Sequence, residues 1–126
     1  MTAMLTIEIN ITGDLLIVTV TGDLTVKDVI AVIEEHYPAG IVKNVVWDFS
    51  NGSMKALSSQ ELKEIASATV KALANGARQG GQTVFVANRD TEFGLMRMYT
   101  AIAEMTGVSV KYTVFRSLAE ALHCLQ

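Results

Sequence analysis

Three times in succession a helical pattern with a capping residue leads into a strand-length apolar run, and few folds accommodate that order. The runs at 41–49, 82–88 and 108–115 are rich in Val, Phe, Tyr or Trp, and each follows such a helical segment. Strands joined through a helix lie parallel and cross over with a right hand. Two further runs, 4–11 and 14–21, precede them with only Thr12-Gly13 between. Ile7, Ile9 and Ile11 alternate with Thr6, Glu8 and Asn10, which is the period of a strand, and the short break with glycine reads as a hairpin. The predicted order is therefore ββαβαβαβα. It describes an α/β domain with a five-stranded mixed, mostly parallel sheet and helices on both faces.

The helices carry their own punctuation. Thr25 caps a helix reaching Tyr37, with Asp28 three residues on, and Pro38 and Gly40 stop it. Ser58 opens the longest helix with Glu61 behind it; Gly80-Gly81 is its expected end. Leu62, Ile65, Ala66, Thr69, Leu73 and Ala77 face inward on that projection, with Glu64, Ser67, Lys71 and Arg78 opposite. Asp90 or Thr91 caps a third helix running to about Thr106, and Ser117 with Glu120 opens a short terminal one. No repeat, linker or low-complexity segment interrupts the 126 residues, so 1–126 reads as one domain.

Composition removes several function classes. Half of the residues are hydrophobic, enough for a core without disulfide or metal, yet no apolar run approaches the roughly 20 residues of a membrane span. Met1 to Leu5 has no basic region, so no signal peptide and no transmembrane segment is expected. The lone Cys124 fits a reducing compartment, and a cytoplasmic location is expected. A net charge of −3 without blocks of one sign gives no nucleic-acid groove. His36 and His123 stand in no metal-ligand spacing, so neither metal nor cofactor is expected. Dinucleotide, P-loop and GxSxG patterns are all missing. Asp48 ends a strand where a receiver domain has its phosphoacceptor, but the accompanying acidic pair and lysine are wanting. A binding or regulatory module, not an enzyme, is the expectation.

In a parallel sheet the functional rim lies at the carboxyl ends of the strands. There the sequence collects Asp23, Asp48, Ser50, Ser53, Asn88 and Arg89, with the long polar loop 50–59 as the first place to search. Ser58 and Ser59 open a helix, where the dipole would stabilise a phosphate, although a serine N-cap explains the pattern equally. The third helix has an apolar face including Met96, Met98, Tyr99 and Met105 that covers about half its circumference, wider than the ~100° that core packing needs. That width admits three readings: a dimer face, a groove for a small apolar ligand or lipid, or burial between the sheet and the terminal helix.

The stretches VTVTGDLT, VVWDFSNGS followed by LSSQEL, TVFVANRDTEFGLMRMY and VFRSLAEAL together resemble STAS-like domains, the fold of bacterial anti-sigma-factor antagonists and of sulfate-transporter cytoplasmic domains, grouped with the CRAL-TRIO fold. The resemblance covers nearly the whole chain and implies a non-catalytic module acting through protein–protein contact at loop 50–59 and the second helix. In the antagonists a serine at the start of that helix is phosphorylated, within Asp-Ser-Ser-Gly. Ser59 matches it, with Ser58 before it, while Leu57 and Gln60 replace the aspartate and glycine.

Overall fold

The computed structural model describes residues 4–126. Strands β1 (Thr6–Thr12) and β2 (Leu15–Asp23) form the hairpin, turning through Gly13 at φ 60°. Then follow α1 (Val26–His36), β3 (Asn44–Ser53), α2 (Ser59–Ala72), β4 (Gln82–Val86), α3 (Asp90–Thr106), β5 (Lys111–Phe115) and α4 (Leu118–Cys124). The sheet runs in the order β1-β2-β3-β4-β5, antiparallel only between β1 and β2.

This order has a consequence for the layers. Each right-handed crossover steps in the same direction, so α1, α2 and α3 fall on one face of the sheet. Their buried residues share a single core with Val18, Val45, Trp47, Phe49 and Phe85. Helix α4 alone covers the other face, over Val46, Val84 and Val86 through Ala121. Helices on both faces is thus the observed arrangement, three against one. Because the strand order never reverses, the sheet has no topological switch point, the place where open α/β sheets form a ligand crevice.

Among the helices, sequence and structure part at three places. The second helix stops at Ala72, well before Gly80-Gly81. Asn75 breaks it, its side-chain oxygen accepting from the Ala77 amide (3.0 Å) while its amide donates to the Pro38 carbonyl (3.2 Å). Leu73 and Ala77 still pack on the core, but Arg78, expected on the solvent face, is only 4% exposed. The third helix is capped by Arg89, which offers no side-chain acceptor, and not by Asp90 or Thr91. It lies beside α2 and β5, away from α4 on the opposite face.

Arg78 sits at φ 60°, its guanidinium 4.5 Å above the Tyr37 ring. It donates to the carbonyls of Lys43 (3.0 Å) and Gln82 (2.8 Å) and to the Thr83 hydroxyl (2.9 Å). Nearby, Trp47 Nε1 donates to the Tyr37 hydroxyl at 3.0 Å. A cavity of about 20 Å³ lies among Tyr37, Thr69, Thr83, Tyr99 and Tyr112 together with apolar side chains such as Ile33, Phe49 and Met54.

Burial, reinforced by neighbouring tyrosine hydroxyls, holds Tyr99 and Tyr112 well above the ordinary tyrosine value of 10.0. The unfolded chain releases these protons near that value while the folded chain keeps them, so stability falls as pH climbs past about 10. Each group contributes a slope of up to about 1.4 kcal/mol per pH unit there. Denaturant midpoints taken between pH 8 and 11 should drop above 10 in the wild type and drop less in Tyr99→Phe.

Candidate functional site

The carboxyl ends of β2, β3, β4 and β5 meet along one rim, as a parallel arrangement requires. Loop 50–59 differs from the expectation. Ser50 to Ser53 belong to β3, pairing Thr21 with Asn51, Gly22 with Gly52 and Asp23 with Ser53. A register shift makes this extension workable: β3 inserts one extra residue after Asp48. Asp48 holds the bulge, accepting from the Ser50 amide (3.0 Å) and hydroxyl (2.6 Å). Gly52 is needed because a Cβ there would lie 2.6 Å from the Val20 carbonyl oxygen. Asp48 and Ser50 are therefore structural in this arrangement, engaged with each other.

Ser53 is also engaged. Its hydroxyl donates to Glu92 Oε1 at 2.6 Å and accepts from the Lys55 amide at 3.0 Å. Glu92 Oε2 accepts from the Met54 amide at 3.1 Å. Arg89 donates to the Gly52 carbonyl and lies 3.9 Å from Glu92. Glu92, in the first turn of α3 and 3% exposed, thus clamps the start of the loop onto another helix. In a capping box that glutamate would turn back to its own N-cap; with arginine at the cap it reaches across to β3. Nothing in the sequence assigns Glu92 this clamping role; the available signal is a glutamate three residues after a residue unable to cap.

Beyond the clamp the loop becomes solvent-exposed at Lys55 and Ala56, and Leu57 is half-buried. Ser58 is the N-cap of α2: its hydroxyl accepts from the Glu61 amide (3.1 Å) while Glu61 accepts from the Ser58 amide (3.0 Å). Ser59 is the first helical residue and is exposed. The two serines are therefore not equivalent. Ser58→Ala should destabilise the fold by about 1 kcal/mol, and Ser59→Ala by under ~0.5 kcal/mol, as thermal or urea unfolding will show.

From Gln60 onward the outer side of α2 forms an open groove of about 750 Å³ against α1, lined by Ile30, Glu34, Lys63, Ser67 and Lys71. Asn88 is exposed and Asp23 half-exposed at the same rim, while Arg116 pairs with Asp90 at 2.7 Å and stacks on Phe93 at 4.1 Å. Of the six rim candidates, Asp48, Ser50 and Ser53 hold the scaffold, Arg89 both braces it and reaches solvent, and Asp23 and Asn88 remain available. Among the described residues no cluster of three or more His, Cys, Asp or Glu side chains is placed to hold a metal ion. No described helix is long and apolar enough to cross a membrane.

The third-helix candidates separate. Met96 (0%) and Tyr99 (3%) are core residues, whereas Met98 (42%) and Met105 (88%) are exposed. The broad apolar face arises because α3 packs against β5 and α2 at once, which leaves only scattered methionines outside. Tyr99 does line a cavity, but at about 20 Å³ it is far below the several hundred of a small-molecule pocket.

No protein-family model matches the chain, and none of the curated proteins does. Solved structures do. The anti-sigma factor antagonist SpoIIAA in its unphosphorylated form superposes with a TM-score of 0.58 at 15% identity, over 97% of both chains. An anti-sigma factor antagonist from Mycobacterium paratuberculosis gives 0.56 at 19% identity, over 98% of this chain and 97% of that one. At such identities the likeness establishes the fold, which is the STAS-like one.

Proposed function

We propose that this protein is a non-catalytic regulatory module that binds a protein partner through the rim of loop 50–59 and the adjoining surface of α2. The observation that carries the reading is the clamp. A buried glutamate, 3% exposed, fixes Ser53 and Met54, so that the exposed stretch from Lys55 to Gln60 leaves a rigid base and runs into the α1–α2 groove. Holding a surface loop in one conformation reduces the ordering cost of association. The shape of the surface agrees: an open groove with mixed charges offers a wide, shallow contact, unlike the enclosed pocket of a small-molecule site. Full-length likeness to two anti-sigma factor antagonists supports the regulatory class.

Ser59 is the candidate phosphoacceptor, since Ser58 is engaged as the cap and Ser59 is exposed at the first helical position. A phosphate there would place about two negative charges in the middle of the contact. Affinity capture from lysate with wild type, Ser59→Ala and Ser59→Asp tests this. The expected result is one protein retained by the first two and weakened about tenfold or more with Ser59→Asp, roughly 1.4 kcal/mol. No specific partner, or equal retention by all three forms, would contradict it.

A further inference from the structure

The edges of the sheet are unequal. Strand β5 is five residues long, begins with an exposed lysine (Lys111) and packs against α3 and α4, features that discourage edge pairing. Strand β1 is seven residues long, carries neither Lys nor Pro, and has no strand on its outer side among the described residues. Two large apolar side chains on it stay open to water, Ile9 at 40% and Ile11 at 43%. They lie on the face that carries α1, α2 and α3, opposite Val18 and Leu16.

The sequence of this edge, TIEINIT, reads almost the same in both directions. Antiparallel pairing of two copies about Ile9 sets Thr6 against Thr12, Ile7 against Ile11, and Ile9 against Ile9. Glu8, the strand's one charge, then meets Asn10. Every side chain keeps its own face, and no carboxylate meets another. Shifting the centre to Glu8 would set two carboxylates directly opposite, and centring on Asn10 would leave Thr6 and Ile7 without partners. A single register is favoured by both charge and length.

We infer that β1 is a homodimer interface, in which two copies join antiparallel about Ile9 into one continuous sheet. The two-fold axis stands perpendicular to the sheet, so the α1–α3 layers of both copies share a face and the isoleucines of both strands form one row. Pairing satisfies the free backbone groups of the edge with roughly six to eight hydrogen bonds. This contact lies outside loop 50–59 and is independent of the partner reading. Either can fail while the other stands.

Sedimentation equilibrium on the full chain, with folding checked by circular dichroism, tests the register through charge. Wild type should associate reversibly as a dimer, and Ile9→Lys, which sets two ammonium groups opposite each other, should be monomeric. Asn10→Lys should tighten the dimer and Asn10→Glu weaken it, each on the order of two- to thirtyfold through two symmetric cross-strand pairs. A wild type that stays monomeric up to the millimolar range overturns the inference. So does a dimer unaffected by these substitutions, or one that both Asn10 variants shift the same way.

Discussion

Glu92→Ala should lower the stability of the folded chain by about 2 to 4 kcal/mol, because it leaves the Ser53 hydroxyl and the Met54 amide without the acceptor they share. For a domain of this size that is a fall of roughly 6–20 °C in Tm. The effect should be local as well as global, with faster hydrogen exchange at Met54 and Lys55 and weaker partner capture. Glu92→Gln separates the contributions: it keeps an acceptor for Ser53 but can set an amide N–H2 against the Met54 N–H, so about half of the loss is expected. Thermal unfolding of the three forms, with exchange measured on the same samples, checks both effects. Equal stability of wild type and Glu92→Ala would mean the clamp contributes nothing.

Arg78→Ala should be at least as damaging, at about 3 to 5 kcal/mol, for a different reason. The guanidinium ties the turn after α2 to the start of β3 and β4 through Lys43, Gln82 and Thr83, and covers the Tyr37 ring. Its removal strands several acceptors and opens a cavity beside the Tyr37 ring. Burial pulls the guanidinium below its ordinary value, with Tyr37 and Tyr112 opposing, yet it stays charged at neutral pH. Arg78→Lys should recover little, since one ammonium cannot span the same acceptors in a planar fork. The lone tryptophan, Trp47, is 2% exposed and donates to Tyr37, so its emission reports unfolding of this region directly.

These two residues also mark the limits of the sequence reading. Local signals were legible at three of the four α-helix starts. Thr25 with Asp28, Ser58 with Glu61 and Ser117 with Glu120 all form the expected caps. Alternation placed Ile7, Ile9 and Ile11 on one face, and the unbroken run Val45–Phe49 is buried on both faces. What escaped depends on contacts distant in sequence at Arg78 and Glu92, and on a local bulge at Asp48. Arg78 follows the α2 period onto a solvent face, and only Asn75, bonded to Pro38, ends the helix early enough to turn it inward. Asp48 looked like the end of a strand, whereas the bulge it holds carries β3 on to Ser53. Glu92 finds its partners 39 and 38 residues away. The width of the α3 apolar face reflected two packing neighbours, which one helical projection cannot distinguish from an exposed patch.

The same contacts give the rim its character. The bulge, Gly52 and Glu92 together turn the end of β3 into a fixed platform. In the proposed reading, recognition falls to the exposed residues just beyond it. Photo-crosslinking tests this most directly, with p-benzoylphenylalanine introduced at Lys55 on the rim and, in a second sample, at His123 on α4 across the sheet, both exposed. A covalent adduct with one partner protein is expected from position 55 and none from position 123. An adduct from position 123 alone, or the same adducts from both, would contradict it.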